Sequence, residues 1–305
     1  MPDNSRHARA LTIEFAQQID FEASLAPLGR WGDDLIDRWD GVTLVRTMAI
    51  GPDARRFAYA AHAVRIRRRP SLKVDVAPEA AGLLDEIDRH VRGSLLADDA
   101  SLAALCAADD RVRALAVRHR GVVPVLFADP FAALVRSISA QQVNLRWAAT
   151  IRRRLAERYG TRHDVGEWHA RSLEPAALAR ATVEELRALQ LTRAKSLAVI
   201  GCARAAEDGR LDAARLTRLD DEELIVELTA LRGIGRWSAE WFLARTLGRP
   251  RVVAGDLGVR KAIGRLYGTT GLPSEIEVRR LTGHWGAAAA HAQALALHDL
   301  ATRAL

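Results

Sequence analysis

Strict alternation of apolar and polar positions is confined to the first third of the chain. "VTLVRTMAI" (Val42–Ile50) is rich in β-branched residues, "AVRIRRR" (Ala63–Arg69) begins by alternating apolar and basic positions, and "SLKVDV" (Ser71–Val76) alternates cleanly. A period of two sends successive side chains to opposite faces, so these runs predict half-buried strands. Pro70, between the last two, predicts a turn or an edge. Helical spacing accompanies them over Phe21–Arg30 and Pro78–Arg92. The sum is a small α+β domain over residues 1–93, one antiparallel sheet with helices on one face. The basic positions Arg65, Arg67, Arg68 and Arg69 could touch a polyanion, or simply form a solvated strand face.

Beyond Arg92 strand patterns nearly vanish and helical spacing takes over. "ADDASLAALCAADDRVRALAVRHRG" predicts one or two short helices. Asp129 is a good N-cap and Pro130 suits a first helical position, so a helix starts there. Further helices are predicted over Glu174–Ala181, Val183–Leu189, Ala194–Asp208, Asp220–Leu231, Arg236–Leu247, Gly255–Leu266, Ser274–Trp285 and Ala287–Leu305. Connections are short, with no transparent repeat and no long linker.

The chain has 305 residues, 49% of them hydrophobic, enough for a sizeable core. The formal net charge of +7 favours a polyanionic partner, although an arginine-rich composition alone gives the same surplus. Cys106 and Cys202 are far apart and form no Cys-x-x-Cys, so a four-thiolate iron–sulfur cluster is excluded and a cysteine-rich zinc site is not expected. Both lie in apolar helical patterns and read as buried small hydrophobes. The opening MPDNSRHARA lacks an apolar signal core, and no stretch approaches the length of a membrane span. The expectation is a soluble cytoplasmic monomer, nucleoid-associated and bacterial, with no membrane partner.

The candidate chemistry begins at "LRGIGRWSAEWFLARTLG" (Leu231–Gly248). It reads as the end of one helix, a tight hairpin and the start of another. Gly233 and Gly235 allow positive φ and a turn without a Cβ in the way. The N–H groups around Ile234 and at the start of the next helix have no intrahelical partner, and with the helix dipole they make an anion site. A phosphodiester fits it without any base being read. Arg236 adds charge beside it and Ser238 a hydroxyl. The plain alternative is a glycine turn between packed helices. Next, "RVVAGDLGVRKAIGRLYG" delivers Asp256 at the start of a helix between Gly255 and Gly258, followed by Arg260 and Lys261. Asp256 could be a simple N-cap, but a carboxylate beside a polyanion site is awkward unless chemistry needs it.

These two segments together resemble the helix-hairpin-helix and Gly/Pro-Asp (HhH-GPD) signature of a DNA glycosylase superfamily. "DPFAALVRSISAQQVNLRWAATI" and "LTRAKSLAVIGCARAAEDGRLD" resemble further segments of the same group. With the N-terminal sheet, the chain is most similar to the alkylation-repair branch, 3-methyladenine DNA glycosylase II. The resemblance implies a mainly helical two-subdomain unit behind the sheet domain: residues 129–250, with the helix-hairpin-helix at about 222–247, and residues 94–128 together with 251–305. It implies no cofactor, no catalytic metal, and at most a structural monovalent cation on the hairpin backbone. The implied partner is double-stranded DNA containing damaged bases.

The resemblance also implies roles. Asp256 becomes the catalytic carboxylate. Trp237 and Trp241, four apart and so on one helix face, line the base pocket; either could instead be core. Gln142, at the tip of "SAQQVN", matches the intercalating position, and Gln141 and Asn144 become candidate DNA contacts with Arg260 and Lys261. Relatives that also cleave the backbone carry a lysine two residues after the second hairpin glycine. Trp237 stands there, and a tryptophan forms no Schiff base. The implied enzyme is therefore monofunctional, excising alkylated purines by hydrolysis. The final helix departs from the family: where an Arg-Ser pair and a later aromatic are usual, "HWGAAAAHAQALALHDLATRAL" offers alanines, then His291 and His298, the latter a candidate replacement ring or a surface histidine. A glycosylase for an oxidised or deaminated base, a non-catalytic helix-hairpin-helix DNA-binding protein, and a basic membrane- or RNA-associated protein remain alternatives at this stage.

Overall fold

A computed structural model of the protein describes residues 9–51 and 55–303. The first residues of the signal-peptide reading and the last two of the C-terminal helix reading lie outside them. Five strands form an antiparallel sheet in the order β1-β5-β4-β3-β2: β1 (Arg9–Glu14), β2 (Arg38–Trp39), β3 (Thr43–Ile50), β4 (Arg55–Ile66) and β5 (Arg69–Val76). Leu44 opposes Ala61, Ala61 opposes Val74 and Ile13 opposes Leu72, so one face gathers apolar side chains.

Three expectations are corrected here. The β4–β5 turn is not at Pro70. It is Arg67–Arg68, with φ of 48° and 67°, while Pro70 lies inside β5 opposite Arg65. A two-residue hairpin loop needs positive φ to match strand twist, and arginines there conceal the usual Asn-Gly signal. Strand β4 is also much longer than Ala63–Arg69 suggested. Its first nine residues, "RRFAYAAHA", are alanine-rich and carry little intrinsic β signal; neighbours on both sides make them a strand. Finally, strands do recur after Arg92. β6 (Gly160–Val165) and β7 (Trp168–Leu173) form a hairpin around Gly166, whose φ is 57°. Val165 and Ala170 of this hairpin pack on Val45, Ala58 and Ala60, so the sheet's second face is covered by strands. The small side chains Ala58 and Ala60 permit that approach.

The predicted helices are found with ends moved by at most three residues, except at two places where a predicted span is divided. Pro78–Arg92 resolves into a short turn, Pro78–Ala80, and a helix, Leu84–Gly93; Ser274–Trp285 resolves into a helix, Glu275–Thr282, and a tight turn, Gly283–Ala288. Asp109 separates the helices Asp99–Ala108 and Asp110–Arg118: its backbone is extended and its Oδ1 accepts from Arg111 N and Val112 N.

Two apolar clusters organise the molecule. One runs from the sheet through the helices Pro130–Ala140, Leu145–Tyr159 and Arg193–Glu207 to Phe242 and Leu243. The other joins Leu105, Val112 and Leu115 to Val253, Ile263, Trp285 and Leu295. Trp241 packs against both. Among the described residues no helix is long and apolar enough to cross a membrane. Cys202 is fully buried and Cys106 half-buried.

An ion-pair network ties the sheet to the helices. Asp34 Oδ2 accepts from Arg136 and from Arg152, each at 2.8 Å, while Asp37 pairs with Arg46 and Arg136. Burial alone would raise the Asp34 pKa; Arg136 and Arg152 outweigh it and hold the carboxyl far below the usual range. A group depressed in the folded state contributes stability above its unfolded pKa of about 3.9 and loses it as pH falls below that. The midpoint of urea unfolding should therefore drop progressively as pH falls below about 4. Asp34→Asn should lower stability at pH 7 and flatten that drop; an equally steep drop in the variant would remove Asp34 from the account.

Candidate active site

The hairpin is built where the helix Asp221–Thr229 ends and Arg236–Arg245 begins. Gly233 has φ of 81°, and a Cβ there would lie 2.6 Å from Ala198 Cβ, so glycine is required twice over. Gly235 is different from expectation. Its backbone is extended (φ −93°, ψ 178°), and a Cβ would meet nothing within 4 Å. Its bareness leaves open space in front of a helix start that no side chain caps. The opening N–H groups of that helix are thus presented outward. Arg236 stands exposed beside them, its Nε 3.1 Å from Glu240 Oε1. Ile234 is buried and anchors the turn, and Leu231 O accepts from Ile234 N.

Ser238 does not face outward. It is buried, and its Oγ accepts from Gln141 Nε2 at 3.2 Å. The same Nε2 donates to Gly233 O at 2.9 Å, and Lys195 Nζ donates to Gln141 O at 2.7 Å. Gln141 therefore staples the loop of residues 141–144 to the hairpin. Gln142, the next residue, is exposed at the loop tip with φ of 55°. A non-glycine residue held in the left-handed region is costly, so the loop must be held by its surroundings. Asn144 caps the following helix, its Oδ1 accepting from Trp147 N at 2.8 Å.

Asp256 is half-buried at the N-cap of the helix Leu257–Tyr267. Its two oxygens are divided: Oδ1 accepts from Val259 N at 2.9 Å and Oδ2 from Trp237 Nε1 at 3.1 Å. The cap reading and the functional reading thus describe different oxygens of one side chain. No ion pair to Asp256 is present among the described residues, and a carboxylate has about four acceptor positions, so lone pairs remain for a further partner. The preceding turn is fixed by Asp256 N donating to Val253 O and by Val253 N donating to the buried Gln293 Oε1 at 2.7 Å. Arg260 donates its Nε to Pro273 O, while Lys261 is exposed.

Three residues of the site carried no sequence signal strong enough to be singled out. Phe127 stacks on Trp241, ring centres 5.4 Å apart at 24°, so one face of Trp241 is already covered. Glu240, 1% exposed, meets Arg236, Arg251 and Arg279 with Oε1 at 3.1, 3.5 and 2.7 Å. An acid on the apolar side of a helix is the clue that could have found it. Arg245 lies over the Phe127 ring, 5.5 Å from its centre. His298 does not provide a replacement ring beside Trp237. It packs edge-on against His119, ring centres 4.9 Å apart. His291 Nε2 donates to Val122 O at 2.8 Å and is likewise structural.

The matches to known proteins fall on this constellation. The family model of the HhH-GPD superfamily base excision DNA repair protein covers residues 135–287, half of the chain. A DNA-3-methyladenine glycosylase of Bacillus subtilis is 28% identical over 183 residues, 58% of this chain and 59% of that protein. DNA-3-methyladenine glycosylase 2 of Escherichia coli is 34% identical over 117 residues, 38% of this chain and 41% of that protein. The chain thus aligns with about half the length of these relatives. In fold, a 3-methyladenine DNA-glycosylase from Archaeoglobus fulgidus superposes with a TM-score of 0.79 at 23% identity, over 96% of this chain and 98% of that one. With its signature segments carried on the hairpin and on the turn to Asp256, the chain belongs to the HhH-GPD superfamily of base excision DNA repair proteins.

Proposed function

We propose that the protein is a monofunctional DNA glycosylase that flips alkylated purines, of the 3-methyladenine and 7-methylguanine type, out of duplex DNA and releases them by hydrolysis. The observation that carries this reading is the Asp256 carboxylate, oriented by Trp237 and Val259 and engaged in no ion pair among the described residues. The names of the Bacillus and Escherichia relatives support the lesion class.

The reaction breaks the N-glycosidic bond. The base leaves with the bonding electrons, and C1′ of the sugar turns positive. A carboxylate stabilises that charge: opposite charges about 4 Å apart at an effective dielectric of 20 attract by roughly 4 kcal/mol, on the order of a thousandfold in rate. A water then bonds to C1′ and gives up a proton, with Asp256 as acceptor. An N-alkylated purine is already cationic, so it leaves as a neutral base without a second acid. Trp237 offers such a ring a face for stacking and cation–π attraction. Extrusion costs a few kcal/mol, and Gln142 is placed at an exposed tip to fill the vacated stack. The outward N–H groups at Gly235 and the start of its helix take a phosphate of the same strand. Trp237 offers no amine for a Schiff base, so no backbone cleavage follows.

Asp256→Asn should reduce base release from methylated duplex DNA by about a thousandfold or more, while leaving affinity for abasic-site DNA nearly intact. Undiminished release would exclude Asp256 from the chemistry. Sodium borohydride added during turnover should trap no covalent protein–DNA adduct; a trapped adduct would identify a lyase. Affinity for duplex should fall linearly in log–log form with salt as phosphate contacts release counterions, and Gly233→Ala should weaken it by distorting the hairpin.

A further inference from the structure

Trp237, Trp241 and Arg245 follow one another at four-residue spacing on the hairpin helix and so share one face. Trp237 meets Asp256, Trp241 stacks on Phe127, and Arg245 continues the stripe against the same Phe127 ring. Phe127 N donates to Arg245 O at 2.8 Å, which holds ring and guanidinium in register.

The other guanidiniums gathered around Phe127 are neutralised. Arg46 pairs with Asp37, and Arg136 with Asp34 and Asp37. Arg245 has no carboxylate partner among the described residues, and its Nε is sealed from solvent with no acceptor. An unpaired buried charged donor is costly to a fold. Burial, then Arg136 and Arg46, push its pKa down to about 10, with Asp256 the acid that opposes them; it remains a cation at neutral pH. Arg245 as a whole is half-buried, so an acceptor arriving from outside would meet the terminal amines of the guanidinium rather than the sealed Nε.

We propose that Arg245 is a specificity-determining residue of the base site, donating to the C6 oxygen of a flipped 6-oxopurine. The inference rests on the glycosylase reading above and adds to it the base edge that is recognised. A guanidinium carries donors only, so a C6 oxygen is a partner, whereas a C6 amine presents a donor to a donor. 7-Methylguanine and 3-methyladenine are both cationic while attached to the sugar. Repulsion from Arg245 therefore weighs on both and cancels in their ratio. What separates them at C6 is carbonyl against amine.

The experiment uses duplex DNA methylated to carry both lesions, with the two free bases quantified from the same reaction. Wild type, Arg245→Met, Arg245→Gln and Arg245→Lys are compared, and thermal unfolding verifies that each is folded. Arg245→Met should lower 7-methylguanine release relative to 3-methyladenine release by about ten- to a hundredfold. Arg245→Lys, keeping a donor but not the fork, should shift the ratio less; if Arg245→Met does not fold, Arg245→Gln decides. A ratio that stays constant while both rates fall together makes Arg245 a packing residue and overturns the inference, leaving the glycosylase reading intact. A ratio that moves toward 7-methylguanine overturns it as well. If wild type releases neither base, the glycosylase reading fails and this inference with it.

Discussion

Glu240 is the constraint on which the site depends. A carboxylate that is 1% exposed must be paired, because its desolvation is otherwise uncompensated. Its partners come from three separate places: Arg236 at the first turn of the hairpin helix, Arg251 in the segment leading to Asp256, and Arg279 on the helix Glu275–Thr282. Arg279 in turn meets Glu275, whose carboxylate sits where a Cβ on Gly255 would reach it at 3.2 Å. One buried charge thus fixes the hairpin, the turn before Asp256 and the helix behind it relative to each other. The three arginines share the pairing, so loss of the carboxylate itself, rather than of any one arginine, would be felt at the geometry of Trp237 and Asp256.

The sheet contributes at one remove. Asp34 and Asp37 lie just before β2, yet their partners Arg136 and Arg152 belong to the helices flanking the Gln141–Asn144 loop. The same loop is tied to the hairpin through Gln141 and Lys195. A chain of charged and hydrogen-bonded contacts therefore runs from the sheet to the exposed Gln142. The strain implied by its positive φ is sustained because residues on both sides of it are held.

Much of this was legible in the chain because helical periodicity, N-cap residues and the hairpin glycines are local signals. Asp129 caps the helix that follows, as its residue type implies, and the helix positions agree within a few residues, whereas Asn144, expected as a DNA contact, proves to be a cap as well. What escaped notice was set by tertiary contact. The alanines of β4 are strand only because β3 and β5 pair with them and β6–β7 cover them. The polar sequence of β6–β7 is held against the sheet by Val165 and Ala170, with Trp168 packed beside them. At the site, the hairpin and Asp256 were readable as a motif. Gln141 and Ser238 were not, since a polar side chain near a DNA-binding motif reads as a contact until its internal partner is seen. Phe127 and Arg245 were missed because they are more than a hundred residues apart and meet only through packing.

The division of labour within Asp256 has a further consequence. An N-cap carboxylate is usually a stabilising feature of its helix, and here Oδ1 serves that purpose through Val259. The cap fixes the side-chain rotamer, and a fixed rotamer is what an electrostatic catalyst needs, because no reorganisation is then required as charge develops. Trp237 completes the arrangement from the opposite element: its indole N–H sets the direction of Oδ2, and its ring presents an apolar face where a cationic base would be received. On the proposed reading, stability and chemistry draw on the same carboxylate without competing for the same oxygen. Replacing Asp256 by asparagine keeps one oxygen for the cap and removes the charge, which separates the two roles in a single substitution.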